Sequence, residues 1–463
     1  MSTHPQSATQ PQEISDLVKA QADWQRPVFH FRPPAFWLND PNGTITLDGW
    51  HHVFYQYCPG TEAEGPKHWG HTRSRDLVDW EHLDVALAPE ASIGEQGVWS
   101  GGAALAGDGT PVLVYTSFPH DRSTKFRQVA VTCDRGLTRF TRVPGSLLAC
   151  DDDPAIRRDA RDPFLFHAEG KTWMIHGCER GGRSVVLIHE AVDGSLLRWK
   201  PRGDLISWPC SFLPFPECPN LMPLGDGRWL LMLSPFGPVE GFVGRFHDAR
   251  FTVEGEVRLD QHDCFYATNV LDGTDGKPVL VCWVRHWPKG RGWNGCLAAP
   301  RRVHPEGNGI RQEILPGWLD ALADGEARTW SGDLSGDRVL DAEAGDQLVL
   351  DLDLRRDPGA GVVVEIGRNP ADNGSMNVAW RGDRLIVAGQ AHVVPGVGDH
   401  LALRILVDRS LIEIFADGGR TVITRIAQRP SRGGELRLRP TGPCAVSARW
   451  QRLRAATFVG EDG

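Results

Sequence analysis

The stretch His52-Val-Phe-Tyr-Gln-Tyr57 is typical of the short elements that make up most of this chain. It is rich in aromatic and β-branched side chains, the composition of a β-strand. Similar runs recur at residues 111–116, 172–176 and 229–233. Twelve Asn-Gly or Asp-Gly dipeptides precede the one at the C-terminus, and many of them separate such runs. Because these dipeptides favour tight hairpin turns, the sequence predicts an all-β protein.

The spacing of the strands predicts two domains. Groups of turn-bounded strands recur about every 50–60 residues up to about residue 300, close to the length of a four-stranded propeller blade. Residues 347–354 and 401–407 instead alternate apolar and polar side chains, as in a sandwich with one solvent-facing side. We expect a polar N-terminal tail at 1–25, a five-bladed β-propeller at 26–305, a connector at 306–335 and a C-terminal β-sandwich at 336–455. A single irregular all-β domain is the alternative.

Helical periodicity is almost absent. Residues 313–326 give the best helical pattern, but Pro316-Gly317 interrupts it. A proline and a glycine inside such a pattern end or break a helix. We therefore interpret this segment as a short connector.

Composition excludes several classes of function. The 463 residues are 41% hydrophobic and 24% charged, which is typical of a folded globular chain. The net charge of −9, without a basic stripe, argues against nucleic acid as a partner. No apolar run approaches the length that spans a bilayer. The polar N-terminus and the ten scattered cysteines are typical of a cytoplasmic protein with free thiols.

Three carboxylic acids stand beside prolines and aromatic residues. A lone Asp before Pro is usually a turn former. Here, however, the second acid follows the first by 122 residues and the third follows the second by 55, close to two blades and one blade. Equivalent positions on three blades would bring the acids together at the central channel, where they suit glycoside hydrolysis. The acids are Asp40 in Trp37-Leu-Asn-Asp-Pro-Asn-Gly43, Asp162 in Arg161-Asp-Pro163 and Glu217 in Phe215-Pro-Glu-Cys-Pro219.

With these motifs in place, the chain resembles glycoside hydrolase family 32, the invertase and fructanase family. The similarity runs from about residue 29 to residue 426 and consists of several motifs in the family's order. The further motifs are His30-Phe-Arg-Pro-Pro34, His68-Trp-Gly-His71, Trp99-Ser-Gly101, Phe265-Tyr-Ala267, Val407-Asp-Arg-Ser410 and Glu413-Ile-Phe415.

The resemblance implies a five-bladed propeller followed by a β-sandwich, and cleavage of terminal β-fructofuranosyl groups with retention. Asp40 is then the nucleophile, Glu217 the general acid/base and Asp162 the stabiliser of the transition state. A retaining pair has its carboxyl groups about 5–5.5 Å apart. The positions that match the family's substrate pocket are Asn39, Gln56, Trp69, Trp99, Ser100, Arg161 and Trp283.

Several alternatives stay open. The substrate is expected to be a small sugar, sucrose or a short fructo-oligosaccharide. A phosphorylated sucrose would need a basic cluster, for which the candidates are Arg122, Lys125 and Arg127, or Arg285, Lys289 and Arg291, although these are expected to be solvated surface residues. An exo-fructanase or a fructosyltransferase acting on inulin or levan is an alternative, and so is a catalytically weak sugar-binding or sensing protein. No cofactor is expected, and no metal, because His68 and His71 lack the additional ligands of a zinc site. The sequence indicates no oligomeric state.

Overall fold

In the computed structural model, antiparallel β-sheets dominate the part of the chain that it describes, residues 11–121, 123–145, 148–149 and 153–460. Five sheets are propeller blades, and their first strands contact one another in a closed cycle around a central channel. Two six-stranded sheets follow and form a β-sandwich. The predicted fold class is therefore confirmed. No helix among the described residues is long and apolar enough to span a membrane.

The five blades follow one another along the chain. Blade 1 consists of β1 (Phe36–Leu47), β2 (Trp50–Cys58), β3 (His68–Ser74) and β4 (Trp80–Leu87). Blade 2 consists of β5 (Glu95–Leu105), β6 (Pro111–Pro119), β7 (Arg127–Cys133), β8 (Phe140–Arg142) and β9 (Leu148–Ala149). Blade 3 consists of β10 (Ile156–Ala168), β11 (Lys171–Arg180), β12 (Arg183–Ala191) and β13 (Trp199–Pro209).

Blade 4 is followed by blade 5, and one strand from the blade 5 segment pairs with blade 1 and closes the ring. Blade 4 consists of β14 (Glu217–Gly225), β15 (Arg228–Ser234), β16 (Glu240–His247) and β17 (Arg250–Arg258). The segment of blade 5 contains β18 (Phe265–Asp272), β19 (Pro278–Val284), β20 (Trp293–Asn294), β21 (Cys296–Leu297), β22 (Arg301–Glu306) and β23 (Gly309–Ile314). Strand β20 pairs in parallel with β1, which joins the last blade to the first.

The sandwich buries one face of each of its sheets. In spatial order, the first sheet contains β24 (Ala323–Leu334), β35 (Cys444–Leu453), β26 (Gln347–Arg356), β31 (His400–Asp408), β32 (Leu411–Ala416) and β33 (Thr421–Ile426). The second sheet contains β25 (Arg338–Asp341), β34 (Glu435–Pro440), β27 (Gly361–Arg368), β28 (Met376–Arg381), β29 (Arg384–Val387) and β30 (Gln390–Val393). Alternate leucines of β26 point into the core, as the sequence pattern predicts. Strand β36 (Phe458–Val459) then returns to pair with β4.

Two predicted segments differ from the structure. The predicted polar tail contains a helix, α1 (Pro11–Ala22), and residues 1–10 lie outside the described residues. The predicted connector, 306–335, contains strand β23, the five-residue helix α2 (Trp318–Leu322) and strand β24. Strand β24 was missed because it is an edge strand whose side chains are mostly exposed, so it carries no apolar alternation.

All nine cysteines among the described residues are free, as expected, and eight of them are buried. Cys150 lies outside the described residues.

A buried ionic network joins the sandwich to the start of the propeller. Asp408, at the end of β31, accepts backbone N–H groups of Val28, Phe29 and His30 at 2.8–3.0 Å. The His30 ring lies between two carboxylates, with Nδ1 2.9 Å from Asp408 Oδ2 and Nε2 2.9 Å from Glu413 Oε1. Burial by itself lowers the pKa of His30, but hydrogen bonds and charges from both acids outweigh it and raise the pKa to about 9. The imidazolium therefore fastens the two domains together.

This network predicts a pH-dependent stability. His30 stabilises the fold fully below pH 6.5, its ordinary pKa, and the stabilisation is lost as pH rises through about 9. We expect His30→Gln to lower the free energy of unfolding by roughly 3 kcal/mol at about pH 6 and by much less at about pH 9.5. Denaturant titrations at both pH values measure this, with the exposed pair His400–Asp353 providing the control His400→Gln. An equal loss at both pH values would contradict a charged His30.

Candidate active site

The backbone breaks register where each acid enters the channel. The three acids lie on the first strands of blades 1, 3 and 4, and each pairing with the second strand shifts there: between Leu38 and Pro41, between Arg161 and Phe164, and between Glu217 and Asn220. Such bulges re-aim side chains and concentrate near active sites. Asp162 and Cys218 adopt φ of 63° and 45°, a left-handed conformation that is uncommon for residues other than glycine.

A chain of polar side chains holds Asp40. Ser100 Oγ donates to Asp40 Oδ2 at 2.5 Å, and Asn39 Nδ2 donates to Oδ1 at 3.1 Å. Gln56 connects these two donors: its Nε2 donates to Ser100 at 2.5 Å and its Oε1 accepts from Asn39 at 2.6 Å. The orientation of the Asp40 carboxylate is thus fixed from both oxygens.

Cys218 lies between Asp162 and Asp40. Its backbone N–H donates to Asp162 Oδ2 at 3.0 Å, while its Sγ lies 3.5 Å from Asp40 Oδ2 and 3.8 Å from Asp162 Oδ2. Burial, together with the neighbouring carboxylates, raises the pKa of the Cys218 thiol well above its ordinary value. The residue therefore stays a neutral thiol that packs the two acids against each other.

Glu217 is held between Arg161 and Tyr266. Arg161 Nη2 donates to Glu217 Oε1 at 2.7 Å, and the Tyr266 hydroxyl lies 2.5 Å from Oε2. The Arg161 guanidinium lies 4.0 Å above the centre of the Phe215 ring. This cation–π contact and the ion pair fix Arg161 and, through it, the glutamate.

Two of the three acids have raised pKa values. Burial raises the pKa of Asp162 to about 7, against the opposing charge of Arg161. Burial also raises the pKa of Glu217, again opposed by Arg161 and reinforced by the charge of Asp40. The Glu217 side chain is 20% exposed and that of Asp162 only 7%. Glu217 is therefore the more accessible of the two for proton exchange with a bound ligand.

The three acids share one cavity of about 430 Å³, a size typical of small-molecule sites. Five of the residues predicted to bind substrate also line it, namely Asn39, Gln56, Trp99, Arg161 and Trp283. Ser100 is buried next to Asp40 and lines the narrow channel behind the cavity.

Trp69 does not lie where the sequence analysis predicts a substrate-binding residue. Its ring is fully buried against Phe54 and Tyr115, and it does not line the cavity. Its Nε1 donates to the backbone carbonyl of Trp99 at 3.0 Å. Because the motif His68-Trp-Gly-His71 lies on a strand away from the channel, its tryptophan supports the wall of the cavity from behind.

The cavity also has an outer wall whose residues are not among the predicted site residues, although Arg285 and Lys289 belong to one of the candidate basic clusters. Tyr266 and Trp37 belong to motifs already quoted, so the sequence could have indicated that these two residues line the cavity. The others, apart from Asn294 on β20, follow strand ends in two loops, where no periodic pattern marks them. These additional lining residues are Trp37, Glu64, Lys67, Tyr266, Arg285, His286, Trp287, Lys289 and Asn294.

Comparison with known proteins assigns the family. The model of the glycosyl hydrolases family 32 N-terminal domain matches residues 30–314, and the model of the C-terminal domain matches residues 377–441. The chain is 29% identical to the sucrose-6-phosphate hydrolase of Escherichia coli, over 95% of this chain and 97% of that protein. It is 34% identical to the vacuolar acid beta-fructofuranosidase 4 of Arabidopsis thaliana, over 87% and 74% of the two chains.

A solved structure agrees with this assignment. The family 32 beta-fructofuranosidase of Bombyx mori superimposes with a TM-score of 0.81 at 26% identity, over 98% of this chain and all of that chain. The family models cover well over half of the chain and include both domains. The protein is therefore a member of glycosyl hydrolase family 32.

Proposed function

We propose that the protein is a retaining β-fructofuranosidase that hydrolyses the terminal β-D-fructofuranosyl group of sucrose and of short fructo-oligosaccharides. The observation that carries this proposal is the meeting of Asp40, Asp162 and Glu217 in one cavity, with Asp40 held on both oxygens and the pKa of Glu217 raised by burial. A nucleophilic carboxylate beside a protonated carboxylic acid is what a retaining glycosidase needs. Similar proteins are named sucrose-6-phosphate hydrolase and beta-fructofuranosidase, which supports the substrate class.

The first step breaks the glycosidic bond. An Asp40 carboxylate oxygen attacks the anomeric carbon of fructose, while Glu217 gives its proton to the departing sugar oxygen. The bond to the leaving group breaks as the fructosyl ester of Asp40 forms, and Glu217 is left as a carboxylate next to Arg161. The Arg161 guanidinium stabilises that charge through the contact at 2.7 Å.

The second step returns the enzyme to its starting state. Glu217 takes a proton from a water molecule, whose oxygen attacks the anomeric carbon and releases Asp40. Asp162 accepts hydrogen bonds from fructose hydroxyls and stabilises the positive charge that develops on the ring in both transition states. Asn39, Gln56, Trp99 and Trp283 complete the fructose site with amide groups and aromatic faces.

The alternative functions predict different results with sucrose and with fructans. An exo-fructanase would release fructose from inulin or levan faster than from sucrose, and a fructosyltransferase would yield longer oligosaccharides. A sensing protein would bind sucrose without releasing glucose. Rates on sucrose, 1-kestose, inulin and levan, measured side by side with the purified protein, separate these cases.

The cytoplasmic location stays a prediction.

The stereochemistry of the product tests the retaining mechanism. Two successive inversions at the anomeric carbon are expected to release fructose first as the β-anomer. Time-resolved NMR of sucrose hydrolysis, recorded before the anomers equilibrate, measures this. Early release of the α-anomer would exclude a covalent intermediate on Asp40.

A further inference from the structure

A loop of blade 5, residues 285–292, forms part of the outer wall of the cavity and connects β19 to β20. Its residues Arg285, Trp287 and Lys289 line the cavity. The loop contains Gly290 and Gly292, both with positive φ, at 85° and 75°. Successive backbone N–H groups in such a turn form a concave binding site for an anion.

Glu62 of blade 1 occupies this concave site. Its carboxylate accepts the backbone N–H groups of Gly290, Arg291 and Gly292, the latter two at 2.7 and 2.5 Å. Glu62 lies in the loop that connects β2 to β3, which also contributes Glu64 and Lys67 to the cavity. One carboxylate thus fastens together the two loops that border the cavity on either side of the junction between the first and last blades.

The N-terminal segment supports the loop from behind. Asp23, just after α1, accepts from Arg291 Nη1 at 2.8 Å and from Trp293 Nε1 at 2.9 Å. A Cβ added at Gly292 would lie 1.9 Å from the carbonyl oxygen of Asp16, so α1 packs directly against the loop. The loop is therefore held between Glu62 on one side and the N-terminal segment on the other.

The position of the loop relative to Glu217 indicates what it contacts. The Arg285 guanidinium lies 3.7 Å above the centre of the Tyr266 ring, and the Tyr266 hydroxyl contacts Glu217 Oε2. In the mechanism above, Glu217 protonates the oxygen of the leaving group. The sugar that departs must therefore lie on the same side of the cavity as Glu217, Tyr266 and the loop.

From these contacts we propose that the loop 285–292 forms the subsite for the leaving-group sugar and that Glu62 is the positioning residue that holds it in place. This inference rests on the proposed function. Glu62 acts on the loop backbone, whereas the exposed Lys289 is the loop residue that reaches the bound sugar. A substrate with a minimal leaving group makes no use of either.

The test compares sucrose with methyl β-D-fructofuranoside, which have the same fructosyl group and leaving groups of different size. Glu62→Gln removes one of the two acceptor oxygens and places an NH₂ group against backbone N–H donors. We expect it to raise KM for sucrose about tenfold or more, while kcat/KM for the methyl fructoside stays within about twofold. Lys289→Ala, at an exposed position that tolerates substitution, is also expected to raise KM for sucrose, by a smaller factor, and to leave kcat/KM for the methyl fructoside nearly unchanged.

Controls separate this role from a general structural one. Glu306→Gln removes a carboxylate that pairs with Arg420 at the propeller–sandwich contact and is expected to leave both substrates unaffected. Equal losses on both substrates in Glu62→Gln, or no loss on sucrose in either Glu62→Gln or Lys289→Ala, would overturn the inference. If the unchanged protein hydrolysed neither substrate, the proposed function itself would fall, which is a distinct result.

Discussion

Replacing Asp40 by Asn is expected to abolish turnover of sucrose and to leave the fold intact. The amide keeps the size of the side chain, and Ser100 and Asn39 remain as neighbours, but it cannot form the fructosyl ester. Asp162 does not take over because its side chain is almost fully buried and, in the proposed mechanism, binds fructose hydroxyls. Loss of a nucleophile lowers kcat by roughly 10⁴-fold or more. Glucose release at saturating sucrose measures the effect.

A matched control is available on the same blade. Asp84 is an exposed aspartate on β4, and Asp84→Asn is expected to keep wild-type activity. Thermal unfolding of both variants shows whether the fold is retained. Activity of Asp40→Asn within tenfold of the parent would show that the nucleophile lies elsewhere.

The second large effect concerns Glu217→Ala, whose loss of rate is expected to depend on the leaving group. Sucrose expels an alkoxide that needs a proton, so its rate falls by about 10²–10⁴-fold. An activated aryl β-fructoside leaves without that proton, and its first step is nearly unaffected. The second step still lacks its base, so the fructosyl-enzyme accumulates and a burst of aryl alcohol appears.

Added azide tests whether the second step of Glu217→Ala lacks its base. It is a nucleophile that needs no base, so it is expected to speed turnover of the aryl substrate by Glu217→Ala and to yield fructosyl azide. Glu240→Ala, a glutamate on the same blade that pairs with Arg258, is the control and is expected to show neither burst nor rescue. Equal losses on sucrose and the aryl fructoside, without burst or rescue, would exclude Glu217 as the acid/base and make Asp162 the next candidate.

The sequence predicts the centre of the site better than its edge. The meeting of Asp40, Asp162 and Glu217 in one cavity was predictable because strand spacing and short motifs both mark the first strands of the blades. The fold was predictable for a similar reason, since hairpin turns and alternation are local patterns. The exact path of the backbone was not, because a bulge such as the one after Glu217 depends on the partner strand.

The outer wall of the cavity shows why the rest could not be predicted. Lys289 and Trp287 belong to a loop whose position depends on Glu62, more than two hundred residues away in the sequence. Trp69 was misassigned because a motif identifies a residue without showing which face of its strand looks toward the channel. Helix α1 was not predicted because it packs against Gly292, and no pattern within the N-terminal segment indicates that contact.

The most direct test of the central claim, that Asp40 carries the fructosyl group, is mass spectrometry of Glu217→Ala quenched in acid during turnover of an activated aryl β-fructoside. The slow second step leaves the intermediate in place, and proteolysis then locates the added mass. The account predicts one fructosyl group on the peptide that contains Asp40, and none when Asp40→Asn is combined with Glu217→Ala. A fructosyl group on the peptide that contains Asp162, or an unmodified protein at the end of a clear burst, would contradict it.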